Sequence, residues 1–388
     1  MIRRHIFLGA LPVLLLVVGI QQLARFGTTA HNLTSEEFQQ VSLQLSEPSG
    51  FFGTDNLVSN ETSYLHVSPR IEELAAAGQA YIGVGPDQNF TYIAQSRPAV
   101  AFIIDIRRDN LLQHLYFKSL FRQSADRWDY LSGLFGRVVP KTFKRSASAN
   151  AADLVRLFKA LPADKAFFEA HLQKLWNSLR RRFPALVTET DRVKVHAIAS
   201  AFFIDGLDVR YEIPGRRMFT FFPSYAQLMV ETDLEGELGH YLNSEEDFQF
   251  LKRMQRGNRI IPVVGNFGGY KALRSIGAEL RKRGFKVSVF YLSNVEFYLF
   301  RSHTFRKFID NVRQLPLDED SLLIRSYFNN WFGTWRTHPF AVPNYFSTSL
   351  TQRIQRFLEL DRTVPYYNYW DLVTRDYLGA PARPSPAL

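Results

Sequence analysis

Tyr81-Ile-Gly-Val-Gly-Pro-Asp-Gln-Asn89 is the stretch on which the fold turns. A short apolar run enters two glycines: Gly83 permits a tight turn, and Gly85 lets a ligand approach the backbone closely. Pro86 suits the first position of a helix, where its missing N–H costs nothing. Twenty positions beyond Gly85, Asp105 ends the next apolar run, Val100–Ile106. A carboxylate at that distance can accept both hydroxyls of a ribose, so Gly83, Gly85 and Asp105 are the expected cofactor-binding residues. A plain strand-end cap, with Asp105 paired to Arg107 or Arg108, is the structural alternative. Apolar runs of this kind are typical of strands buried on both faces of a parallel sheet. The pattern predicts an α/β, Rossmann-like fold with a mostly parallel sheet.

The same rhythm resumes far downstream. Ile260–Gly265 reads as a strand, Lys271–Arg283 as a helix stopped by Gly284, and Lys286–Leu292 and Leu322–Tyr327 as further strands. Between them, over about 126–255, helical stretches (Ala151–Leu161, Asp164–Phe183, Asn243–Gln255) alternate with strand-like pieces such as His196–Ile204 and Arg217–Phe222. This segment is expected to be a large mixed helical and strand insertion in a domain spanning 59–378, and to hide the sheet's third strand. Asn110–Phe121 reads as an amphipathic helix. Upstream, over 31–58, a linker carries Thr34-Ser-Glu-Glu37, a capping box that opens a helix running to about Leu45. The Pro-rich tail at 379–388 is expected to be disordered.

With 388 residues, 46% of them hydrophobic, the chain can bury a substantial core. The absence of cysteine excludes disulfides and thiol chemistry. The nine histidines are scattered without ligand spacing, so no metal site is expected. The net charge of +10 suits anionic surfaces, but Arg180–Arg182 and Arg281–Arg283 fall on helices as solvated faces, and no specific nucleic-acid partner is expected. Arg3, Arg4 and His5 precede the apolar run Ile6–Ile20, and small residues follow at Thr28–Ala30. Residues 1–30 therefore read as a signal peptide or membrane anchor, which places the domain outside the cytoplasm, exported or held at the inner membrane. A cytoplasmic protein with a buried N-terminal helix is the alternative. Aromatic groups such as Phe219–Phe222 and Tyr366–Trp370 offer a groove for a small-molecule or lipid-like acceptor, with core packing as their default role.

Position 88, where a dinucleotide fingerprint has its third glycine, is Gln88. Asp87, at the start of the predicted helix, would compete with a pyrophosphate for the same backbone donors. A ligand without phosphate fits better. On Gly83-Val-Gly85, on Asp105 and on Val263-Val-Gly-Asn-Phe267, the chain resembles the class I S-adenosylmethionine-dependent methyltransferases. The resemblance covers about 59–121 and 260–327. It implies that Gly83, Gly85, Asp87 and Asp105 hold S-adenosylmethionine and that Val263–Phe267 follows the fourth strand. It also implies that Asp87 or Asn266 orients the acceptor, which makes these two the expected catalytic residues. Asn266-Phe-Gly-Gly269 stands where amino-methylating members carry an Asp/Asn-Pro-Pro-Tyr tetrad. Val84–Asn89 and Asp105–Asn110 also resemble a family of bacterial proteins of uncharacterised activity. The functional expectation is an S-adenosylmethionine-binding, methyltransferase-like protein of unidentified acceptor. An exported, non-catalytic Rossmann-like binding or envelope-associated protein is the alternative, because S-adenosylmethionine is made in the cytoplasm. Glu61 reads as an ordinary helix-start acid; the resemblance offers the alternative that it lies where methyltransferase N-terminal segments fold over the cofactor.

Overall fold

Five of the six strands arise from the runs bounded by these turns. The computed structural model describes residues 31–213, 222–329 and 336–379. Its strands are β1 (Ala80–Gly83), β2 (Val100–Asp105), β3 (Ile260–Val264), β4 (Val287–Ser293), β5 (Leu322–Phe328) and β6 (Ser347–Arg353). They lie in the order β3-β2-β1-β4-β5-β6, all parallel except β6, which runs antiparallel to β5. The fold is thus α/β and Rossmann-like. β1, β2 and β5 are buried along their whole length, as a central parallel sheet requires.

The helices begin with α1 (Ser35–Leu45), opened by the Thr34–Glu37 capping box, and α2 (Ser68–Leu74). The helices α3 (Gln88–Ser96) and α4 (Arg108–Gln123) follow β1 and β2. The insertion supplies α5 (Arg127–Phe135), α6 (Ala151–Ala160), α7 (Lys165–Arg182), α8 (Asp191–Asp205), α9 (Tyr225–Met229) and α10 (Glu245–Arg256). The later crossovers use α11 (Ala272–Arg283), α12 (Val295–Arg301) and α13 (Phe305–Val312), and the chain closes with α14 (Ile354–Thr363) and α15 (Tyr369–Thr374). Gly284 ends α11 at φ +75, a conformation that favours glycine.

Two expectations are corrected here. The third strand is not hidden in the insertion: Ile260–Val264 is itself β3, paired with β2 at the sheet edge. The described part of the insertion is helical apart from two isolated bridges, Arg210 with Ser224 and Thr232 with Leu238. His196–Ile204, read as strand-like, lies in α8, where Val195, Ile198, Ala199 and Phe202 are buried at helical spacing. Of Arg217–Phe222 only Phe222 is described, and the expectations for 1–30 and most of the tail also lie outside the described residues. Among the described residues no helix is long and apolar enough to cross a membrane.

The edge position also explains Pro262. Its carbonyl accepts from Ser42 Oγ at 2.6 Å, on the side away from β2, so its missing N–H removes no ladder bond. Ser46 and Glu47, just after α1, bond Val264 N–H and C=O at 3.0 and 2.8 Å and cover the same edge. Every residue of α4 from Asn110 to Phe121 is buried, because the insertion covers the face that would otherwise meet solvent. Arg127, fully buried, ties the insertion together by donating to the carbonyls of Leu242, Asn243 and Ala149, each at 2.8 Å.

Candidate functional site

The strand order reverses between β1 and β4, and at such a switch point the two crossovers part and leave a crevice at the carboxyl ends of the strands. A cavity of about 430 Å³ occupies that position. Its walls include Gly85 after β1, Asp105 at the end of β2, Asn266 after β3 and Ser293 at the end of β4. The N-terminal segment adds Phe52 and Glu61, the insertion adds Tyr211, and α12 adds Tyr298 and Arg301.

The loop after β1 is held from behind. Asn89 Nδ2 donates to the carbonyls of Val84 and Pro86 at 2.8 and 2.7 Å. Asn110 Nδ2 and His114 Nε2 reach the Gly85 carbonyl at 2.8 and 2.9 Å. Because a carbonyl only accepts, His114 is protonated on Nε2, and burial lowers its pKa to about 4. Gly85 has φ +80, and a Cβ there would meet only Asn56 Nδ2, at 3.4 Å. Its glycine is therefore required by backbone conformation on an open cavity wall. Gly83 has a different reason. It does not line the cavity, and a Cβ there would overlap Asn89 Oδ1 and approach Tyr81 OH to 2.7 Å, breaking into the 2.9 Å hydrogen bond between those two side chains. Gly83→Ala is expected to cost about 1–3 kcal/mol by overpacking. Chemical denaturation of the variant checks this, and an unchanged midpoint would refute it.

Asp105 reaches the cavity, but most of its capacity is taken. Its Oδ1 accepts from Arg107 N–H and Nε at 2.9 and 3.0 Å, and its Oδ2 from Arg107 Nη2 at 2.9 Å. Arg107 is fixed in turn on the carbonyls of Thr54 and Asp55. With about two acceptor positions per carboxylate oxygen, Oδ2 keeps one for a ligand hydroxyl.

Asp87 is not in the cavity wall. Its carboxylate turns under the insertion, where Oδ2 accepts from Tyr225 and Tyr241 at 2.7 and 3.1 Å, and burial raises its pKa to about 6. Nor does it cap α3. Asn266 does line the cavity; its Oδ1 accepts from Gly268 N–H at 2.9 Å. It follows the third strand, however, and the residues that end and follow the fourth are Ser293 and Asn294.

A group that the sequence left unassigned surrounds Glu61, which is 0% exposed. It accepts from Tyr291 OH at 2.7 Å, Ser293 Oγ at 2.5 Å and Gln88 Nε2 at 2.9 Å. Gln88 is further held by Ser59 Oγ and Tyr291 OH. Burial first, and the Glu61 charge second, push the Tyr291 phenol well above its usual range, so it stays a donor. Ser293 has φ +51, the left-handed region that non-glycine residues avoid. The sequence marks Glu61 only by its distance ahead of the first strand; its partners come from α3 and β4, which no spacing along the chain announces. No curated protein matches the chain. Residues 56–368 match the family model described as a domain of unknown function, DUF7790, and the chain belongs to that family.

Proposed function

We propose that the cavity binds S-adenosylmethionine and that the protein is a methyltransferase-like enzyme of unidentified small-molecule or lipid-like acceptor. The observation that carries this reading is the placement of Gly85 and Asp105 on one cavity at the switch point, where a Rossmann-like sheet receives a nucleoside. The free position on Asp105 Oδ2 would take a ribose hydroxyl. Gln88, whose side chain is locked to Ser59, Glu61 and Tyr291, stands where a third glycine would admit a pyrophosphate, so a phosphate-free ligand is favoured. Methyl transfer needs little covalent chemistry from the protein. Positioning and exclusion of water suffice, and the exposed Phe51 with Phe52, Tyr211 and Tyr298 would guide an apolar acceptor in. Acceptor orientation would then fall to Ser293 and Asn294 at the end of β4, since Asp87 turns away from the cavity and Asn266 follows β3, the edge strand of the sheet.

Titration calorimetry of the full chain with S-adenosylmethionine and its demethylated product tests this. Binding at or below millimolar concentration is expected, weakened about tenfold or more in Asp105→Ala by loss of a charge-assisted hydrogen bond. No binding at millimolar ligand, or unchanged binding in the variant, would overturn it.

One observation favours a second reading, an exported, non-catalytic binding protein: the side-on Arg107–Asp105 pair already fills most of the ribose acceptor. Residues 1–30 would then carry the domain out of the cytoplasm, away from the supply of S-adenosylmethionine. Reporter fusions after Leu33 and at the C-terminus, active only outside the cytoplasm, separate the two readings by location.

A further inference from the structure

We propose that the cavity takes an organic cation, a protonated amine or a sulfonium, drawn to the Glu61 carboxylate that lies just behind Tyr291 and Ser293. The inference rests on reading the cavity as a ligand site and assigns Glu61 as the residue that attracts the ligand's positive centre, whether or not that ligand is a nucleoside. Glu61 lines the cavity wall, is fully buried, and is held by three neutral donors, Tyr291, Ser293 and Gln88. Among the described residues no Lys, Arg or His pairs with it. Neutral hydrogen bonds offset only part of the cost of taking a carboxylate out of water, and the remainder asks for a counter-charge.

The other buried carboxylates sharpen the contrast. Asp105 is paired with Arg107, Glu296 with Arg325, and Asp361 with both Arg306 and Arg313. Asp87 also lacks a cation, but its two tyrosines hold it away from the cavity. Among the described residues, Glu61 combines deep burial, no cationic partner and a place on the cavity wall.

Two further features converge on it. Ser293 is kept at φ +51 beside an irregularity in the pairing of β4 with β5, and that strained backbone brings its hydroxyl to 2.5 Å from Glu61. Strain retained at a cavity residue marks a position that the surroundings enforce. The aromatic residues Tyr211 and Tyr298 line the same cavity, a residue type that attracts a cation and tolerates its alkyl groups.

The test compares choline with its uncharged isostere 3,3-dimethylbutan-1-ol by titration calorimetry on the full chain, at fixed ionic strength, beside adenosine and 5′-methylthioadenosine. Wild-type protein is expected to bind choline at least tenfold more tightly than the neutral isostere, and Glu61→Gln to abolish that preference while keeping acceptors for Tyr291 and Ser293. Equal binding of the two by wild-type protein, or an undiminished preference in a folded Glu61→Gln variant, overturns the proposal. If that variant does not fold, the wild-type comparison decides alone. A cation preference without binding of either nucleoside supports this inference and removes the adenosine reading. Nucleoside binding without cation preference does the reverse.

Discussion

Glu296→Ala is expected to destabilise the protein by about 3–5 kcal/mol, the cost of leaving one member of a buried ion pair without its partner. Arg325 Nε and Nη2 donate to the two Glu296 oxygens at 2.7 and 3.1 Å, with the side chains 1% and 0% exposed. In the variant, Arg325 keeps Gln352 Oε1, at 2.6 Å, and the face of the Phe357 ring, neither of which carries charge. Arginine does not deprotonate to escape this. Glu296 sits in the first turn of α12, the helix that brings Tyr298 and Arg301 to the cavity, so ligand binding should weaken together with stability. Urea denaturation measures the first effect and calorimetry the second. A loss below about 1 kcal/mol would refute the argument. Replacing both members, Glu296→Leu with Arg325→Met, should recover most of the stability, since no orphaned charge then remains.

Acidification from pH 7.5 to 4.5 is expected to lower the melting temperature strongly, because three histidines are buried in neutral form. Burial lowers the pKa of His66 and His114 to about 4 and that of His240 to about 3, from an ordinary 6.5. Between those values and 6.5 the unfolded chain binds protons that the folded chain refuses, so stability falls as pH falls. At pH 4.5 this amounts to about 2–3 kcal/mol per histidine, at about 1.4 kcal/mol per pH unit.

Asp87 works in the opposite sense. Its folded pKa is raised from 3.8 to about 6, so its burial costs stability above pH 6 and the cost disappears as pH falls toward 4. It offsets about 2 kcal/mol of the loss at pH 4.5 and leaves the histidines dominant. Asp87→Asn should therefore raise stability at pH 8 and steepen the decline below pH 6. His240→Gln should flatten that decline. A wild-type melting temperature that holds or rises between pH 7.5 and 4.5 would show that these rings are not buried in neutral form.

Much of the sheet was legible in the linear pattern. Tyr81–Gly85, Val100–Ile106, Ile260–Gly265, Lys286–Leu292 and Leu322–Tyr327 all contain strands, because short apolar runs between turn residues have few other uses in an α/β chain. β6 was missed. Ser347-Thr-Ser-Leu-Thr-Gln-Arg353 has no apolar alternation, and its hydroxyls are satisfied by neighbours such as Ser63, at 2.9 Å from Ser347 Oγ. α8 was misread because Val195, Ile198 and Phe202 are strand-favouring residue types set at helical spacing.

The sequence by itself determined the β1 turn, whose Gly85 is needed at φ +80, and the arrival of Asp105 at the end of the neighbouring strand. Those are local matters of backbone conformation and strand length. Which side chains face the cavity was decided only by tertiary structure. Asp87 and Gln88 are adjacent in the chain, yet one turns to Tyr225 and Tyr241 of the insertion and the other to Glu61 and Tyr291. Asp105 is neutralised because Arg107 is clamped by carbonyls some fifty residues upstream. Glu61 meets only neutral donors, because no basic residue among those described is folded against it. The charge of a buried site is the sum over neighbours from distant segments, and no spacing along the chain encodes that sum.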